Sequence, residues 1–187
     1  MPNSFERGPI MVRDAQGALE HVINQYEYEF MLSKTPHPII DRNHTYQPLS
    51  VAEFMNNMLL ARGYLIATNN CWTGNETFLD VGCGIGGKLR LAEALGWNVC
   101  GVERWEPYAQ HAIKAGFRVA VRDAALYETY DKFDVVYMYR PMIQEDDERD
   151  LTKHIVEQMK PGAILFHAGN PSPEGLHHIG EQLWLVG

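Results

Sequence analysis

At 187 residues, with 45% hydrophobic and 21% charged side chains, the chain has the composition of one soluble globular domain with a small extension, not of a disordered or fibrous polypeptide. Its formal net charge of −8 works against tight binding to a phosphate backbone, because that affinity is built from Lys and Arg displacing counterions; nucleic acid is demoted as a ligand. No apolar run approaches the roughly 18–20 residues of a membrane span, and Cys71, Cys83 and Cys100 show no metal-ligand spacing, so a cytoplasmic protein with free thiols and no membrane partner is expected.

In chain order, residues 15–32 place Leu19, Val22, Ile23, Tyr26 and Phe30 at helical spacing and predict an amphipathic helix. Residues 33–49 hold Pro36, Pro38 and Pro48 together with His37, His44 and Tyr46, a composition that breaks regular structure and, at that length, suits a lid. A second helix is signalled by the capping box Ser50-x-x-Glu53 and by a stripe of Val51, Phe54, Met55, Met58, Leu59, Leu65 and Ile66. Residues 1–70 thus read as an N-terminal helical extension, which forms one structural unit with an α/β domain over 71–187.

From Thr73-Gly74-Asn75 onward, short apolar runs alternate with helical stretches, the pattern of βα units around a mostly parallel sheet. Strands are predicted at 77–81, 98–102, 117–121, 133–139 and 163–167. Helices are predicted at 87–95, 105–115 and 145–160, stopped by Gly96, Gly116 and Pro161-Gly162. The run Glu145-Asp146-Asp147-Glu148 opens the last helix, where negative charge complements the positive end of the helix dipole. His177-His178 reads as a surface turn, and residues 183–186 as an edge strand.

The chemistry concentrates where the first strand meets its helix, in Asp80-Val81-Gly82-Cys83-Gly84-Ile85-Gly86-Gly87. Gly82, Gly84 and Gly87 satisfy the dinucleotide pattern G-x-G-x-x-G, but Asp80 stands two places before the first glycine. A dinucleotide brings an anionic pyrophosphate to this turn, which a carboxylate repels. S-adenosylmethionine has no phosphate and carries cationic amino and sulfonium groups, so Asp80 favours it. Glu103 follows about 20 residues after the first glycine, at the end of the second predicted strand, where a carboxylate can accept from both ribose hydroxyls.

With these residues in this order, residues 78–167 resemble the class I methyltransferase family. The resemblance implies an α/β, Rossmann-like, mostly parallel sheet flanked by helices, S-adenosylmethionine as cofactor, and methyl transfer. It also implies roles. Asp80 and the backbone of Gly82, Cys83, Gly84 and Gly86 would hold the methionine end, and Glu103 the ribose. Arg104 and Trp105 would flank adenine, Asp123-Ala124 would meet its amino group, and Tyr139 would complete the set at the end of the fourth strand.

Ligands of open α/β sheets bind beyond the carboxyl ends of the strands, which places the acceptor at Tyr139-Arg140-Pro141-Met142. The Asn/Asp-Pro-Pro-aromatic tetrapeptide of amino-methylating nucleic-acid enzymes is absent, leaving a small molecule as the expected acceptor, with protein or RNA as variants. Methyl transfer needs chiefly in-line positioning, sometimes with one base. Tyr139, Arg140 and His167 are the catalytic candidates, with His37 and His44 as further bases and Arg140 as a two-point grip on an anionic acceptor. No metal set is expected. After the fifth strand the family usually adds a helix and an antiparallel strand pair, but here Pro171, Pro173 and Gly175 open a short remainder. A shortened C-terminal end is therefore expected, with an open sheet edge that invites a second copy of the chain. Two rival functions stand beside the enzyme: a non-catalytic S-adenosylmethionine-binding module or subunit, and a nicotinamide-dependent oxidoreductase, which rests on the glycine pattern alone.

Overall fold

The structure, a computed structural model, describes residues 49–69, 71–141, 145–169 and 173–187. The helix expected over 15–32 and the lid segment up to residue 48, with His37, His44 and Tyr46, lie outside the described residues, as do Met142 and Pro171.

Helix α1 (Val51–Asn69) begins at the predicted cap, with the Glu53 N–H donating to Ser50 Oγ at 3.1 Å. The second half of the capping box does not form, because the Glu53 carboxylate instead accepts from Gln182 Nε2 at 2.6 Å. Phe54, Met58 and Leu65 point inward as expected, joined by Asn57 and Ala61, whereas Leu59 and Ile66 are 49% and 39% exposed. The reason is helical geometry. Positions 54, 58, 61 and 65 repeat on one line, and 59 and 66 each stand one residue, about 100°, off it.

The sheet follows as β1 (Thr77–Val81), α2 (Gly87–Ala94), β2 (Asn98–Glu103), α3 (Glu106–Lys114) and β3 (Val119–Val121). Short 3-10 turns at Ala124–Leu126 and Tyr130–Lys132 lead to β4 (Val135–Met138), α4 (Glu145–Gln158), β5 (Ile164–His167), β6 (His177–Gly180) and β7 (Leu183–Leu185). β3 starts later than predicted because the Phe117 N–H closes the end of α3 on the Ala112 carbonyl at 3.1 Å. The strand order is β3-β2-β1-β4-β5-β7-β6, with β1 to β5 parallel and β7 antiparallel to both its neighbours. The order reverses between β1 and β4, which opens the ligand crevice of such sheets at their carboxyl ends.

Three expectations for the C-terminal region need correction. The strand pair that the sequence reading held to be missing forms, and only the helix between β5 and β6 has no counterpart among the described residues. Residues 183–186 are not an edge, because Leu183 to Leu185 insert between β5 and β6. His177 and His178 lie in the edge strand β6 rather than a turn, with the His178 ring 4.6 Å from that of Trp184. Leu183, with 1% of its surface exposed, explains the insertion: beside β5 it reaches the core, which an edge position would deny it.

Alternate residues of the strands feed two cores. On one face Phe78, Val135, Tyr137, Ile164, Phe166 and Leu183 pack with α1, α2 and α3; on the other Leu79, Val81, Val136, Met138 and Leu165 pack under Leu151 and Ile155 of α4. Strands buried on both faces read as continuous apolar runs, which is why β1, β4 and β5 were legible. Phe54 sits at the centre of the first core, its ring 5.1 Å from Tyr137, 5.7 Å from Phe166 and 6.0 Å from Phe78.

At the opposite end of the sheet from the crevice, Asp134 ties three segments together. One carboxylate oxygen accepts from the Thr77 N–H at 2.7 Å and hydroxyl at 2.9 Å, and the other meets Lys160 Nζ at 2.7 Å. Burial pushes this carboxyl up, but the Lys160 and Thr77 donors outweigh it and hold it below its ordinary value. A depressed carboxyl stabilises the fold above its unfolded pKa, and that contribution disappears as the pH falls through the folded one. Asp134→Asn is therefore expected to flatten the acid side of the stability curve below about pH 4. The check is urea midpoints against pH, and parallel curves for the two proteins would refute the assignment.

Candidate functional site

The turn after β1 is made of backbone conformations that favour glycine. Gly82, Gly84 and Gly86 have φ of 76°, 55° and 91°, a region that side chains resist. A Cβ at Gly86 would also come within 3.0 Å of the Phe117 ring and 3.2 Å of Ala112, so α2 can start there only from glycine. The Gly82 and Cys83 N–H groups both donate to the Val102 carbonyl, at 2.8 and 3.1 Å, pinning the turn to β2. Cys83 then lies across β2, where a Cβ on Gly101 would come within 2.9 Å of the Cys83 Cβ. Gly101 was missed in the sequence reading, although glycine inside a strand is itself a sign of close approach.

Two carboxylates border this turn. Asp80, at the end of β1, is 3% exposed. Glu103, at the end of β2, accepts from the Gly84 N–H at 2.9 Å through one oxygen and from the Trp105 N–H at 2.7 Å through the other. Burial nevertheless pushes the Glu103 carboxyl above its ordinary value, more than these two donors and the Arg104 charge pull it down. An acid so raised stabilises the fold when protonated and loses that contribution as the pH rises through its folded pKa. The fold thus holds an ionised Glu103 at a cost, a common mark of a functional group. Burial also pushes the Cys83 thiol well up, reinforced by the negative charges of Asp80 and Glu103, so it is not a nucleophile.

Arg104 and Asp123 meet at 3.3 Å beyond β2 and β3, and the other Asp123 oxygen caps the turn at the Ala125 N–H, 3.0 Å away, next to Ala124. Trp105 caps α3 with its ring 4.0 Å from that of Tyr108. Across the crevice Tyr139 is half-buried against the first core, Arg140 is exposed, and Pro141 leans over Gly82, 3.5 Å from where a Cβ there would stand. His167 lies two strands from the turn, beside Glu148. Among the described residues, no three His, Cys, Asp or Glu side chains converge as a metal set, and no helix is long and apolar enough to cross a membrane.

Residues 79–167, which run from inside β1 to the end of β5, match a family model described as a methyltransferase domain. Over that stretch, just under half of its length, the chain is similar to methyltransferase domains. A stretch of 99 residues is 35% identical to the 2-methyl-6-phytyl-1,4-hydroquinone methyltransferase of Synechocystis sp. (strain ATCC 27184 / PCC 6803 / Kazusa), covering 49% of this chain and 31% of that protein. Among solved structures, the plantazolicin methyltransferase BpumL, in complex with a pentazolic desmethylPZN analog and SAH, superposes with a TM-score of 0.52 at 14% identity, covering 81% of this chain and 60% of that one. This chain therefore spans about a third of the curated relative's length.

The residues present suit S-adenosylmethionine on their own chemistry. The second loop glycine's N–H, which in a dinucleotide site would face a phosphate, is already taken by Glu103. With Asp80 the turn is bordered by negative charge, and Gly82 is exposed.

Arg140 is the one described non-glycine residue with positive φ, at 44°. Such a conformation strains an L-residue, and strain of this kind clusters at functional sites. Arg140→Gly is expected to raise stability by about 1 kcal/mol, or roughly 2–4 °C in melting temperature, while removing the guanidinium. Calorimetric melting of the two proteins checks it. An unchanged or lower Tm would mean the backbone there is relaxed.

Proposed function

We propose that this chain is an S-adenosylmethionine-dependent methyltransferase with a small-molecule acceptor. The observation that carries the proposal is the bond from the Gly84 N–H to Glu103, which fills the loop's phosphate-facing donor with a carboxylate and leaves an acidic rim suited to a cation. In this reading Asp80 and the turn hold the methionine end, while Glu103 keeps unused lone pairs on both oxygens for the ribose hydroxyls. Arg104, Trp105, Asp123 and Ala124 frame the adenine, and Tyr139 closes the crevice beside Arg140, which grips an anionic part of the acceptor. The bound cofactor supplies an electrophilic methyl group on sulfonium; the chain aligns the acceptor and excludes water.

A net charge of −8 supports a small molecule over nucleic acid, and the hydroquinone named for the Synechocystis relative is consistent with that class. The three free thiols fit a reducing cytoplasm, and the edge of β6 is where a second copy would pair. Calorimetry with S-adenosylmethionine, S-adenosylhomocysteine and NAD side by side tests the cofactor, with micromolar affinity expected for the first two. Tighter binding of NAD would falsify the reading in favour of an oxidoreductase. Release of S-adenosylhomocysteine in the presence of an acceptor panel separates an enzyme from a binding subunit.

A further inference from the structure

The two halves of the glycine turn are anchored differently. The first is tied to β2 by the bonds from the Gly82 and Cys83 N–H groups to the Val102 carbonyl. The second closes on the turn itself, the Gly86 N–H donating to the Cys83 carbonyl at 2.9 Å, and rests on an aromatic ring. A Cβ on Gly86 would lie 3.0 Å from Phe117 Cδ2 and 3.2 Å from its Cε2, so the ring is seated directly against this part of the turn.

Phe117 stands between α3 and β3 and is 7% exposed. Its N–H donates to the Ala112 carbonyl at 3.1 Å, and the next carbonyl, of Arg118, accepts from the Gly101 N–H at 2.9 Å. Backbone bonds thus fix the ring to α3 on one side and to β2 on the other. The Arg90 guanidinium lies over it, its central carbon 4.5 Å from the ring centroid, in cation–π geometry. Arg90 comes from α2, its N–H donating to the Gly86 carbonyl at 3.0 Å, and its Nη2 reaches across to the Ala115 carbonyl at the end of α3, 3.2 Å away. Gly86 and Arg90, one helical turn apart, therefore both rest on the same ring.

We propose that Phe117 is a positioning residue for the amino-acid end of the cofactor, with Arg90 holding the ring in place. This rests on the S-adenosylmethionine reading above. Packed interiors compress little, so the ring sets how far the second half of the turn stands over the end of β1. The amino-acid end is a compact zwitterion that has to meet Asp80 and the turn together, and its affinity follows their spacing. The adenosine end is assigned to the ends of β2 and β3, which are joined to β1 through the strand ladder and not through Phe117.

The test compares two ligands by calorimetry on the full chain. S-adenosylhomocysteine carries the amino-acid end, whereas 5′-methylthioadenosine keeps the adenine, ribose and sulfur without it. Phe117→Leu is expected to weaken S-adenosylhomocysteine binding about 10- to 100-fold, the scale of loss when a contact group is displaced by about 1 Å, and to leave methylthioadenosine binding unchanged. Arg90→Met, at a side chain 30% exposed, keeps bulk over the ring but removes the bond to Ala115, and should give the same selective loss on a smaller scale. A plain core role would lower the folded population and so weaken both ligands by the same factor. Equal losses for the two ligands, or no loss for either, overturn the proposal, and a selective loss in Phe117→Leu alone overturns the part given to Arg90. If Phe117→Leu does not fold, Arg90→Met decides by the same criterion. The parent chain is titrated first, and a parent that binds neither ligand overturns the cofactor reading and the proposal with it.

Discussion

Replacing Glu103 with Ala is expected to weaken S-adenosylhomocysteine binding by about 1.5–3 kcal/mol, roughly 10- to 150-fold, the usual cost of losing hydrogen bonds to a charged group. The loss has two parts. The ribose acceptor disappears, and the Gly84 and Trp105 N–H groups lose the carboxylate that ties the loop to the start of α3. Stability should move much less, because the same substitution removes a buried charge that folding disfavours. Calorimetric titration alongside urea unfolding separates the two effects. An unchanged dissociation constant would take Glu103 out of the site, and a collapse of stability would make it structural.

Phe54→Ala should cost about 3–5 kcal/mol of folding stability, in the range for emptying a fully buried aromatic position. Phe54 has no exposed surface and touches the rings of Phe78, Tyr137 and Phe166, one from each of β1, β4 and β5. Equilibrium unfolding in urea measures it. A cost under about 1 kcal/mol would show that α1 is an ornament on the sheet and not part of its core.

The glycine turn and its acids were legible in the sequence because their chemistry is local. Asp80 and the three glycines lie close together in the sequence, and Glu103 ends the next strand, so local spacing alone places an acidic rim beside the turn. The central strands and the three helices that flank them were legible for a related reason, since periodicity is a property of neighbouring residues. The partnership of Asp123 with Arg104 was not legible in the sequence, since the two lie on different strand ends.

Tertiary structure decided what depends on distant partners. Leu59 and Ala61 are both apolar in the sequence, and only the position of the sheet sends Ala61 inward and Leu59 out. Glu53 looks like half of a capping box until Gln182, 129 residues away, claims its carboxylate. β7 looks like an edge until β6 folds outside it. Glu148 is indistinguishable from its acidic neighbours at the head of α4 until β5 brings His167 to it from 19 residues on. The sequence by itself determined the order of elements, the glycine turn and the acidic rim, because local spacing and backbone freedom dictate them. Which strand lies beside which, and which polar groups must therefore share a dry space, was decided only when the apolar faces were buried together, since burial acts between segments whose separation along the chain carries no local signal.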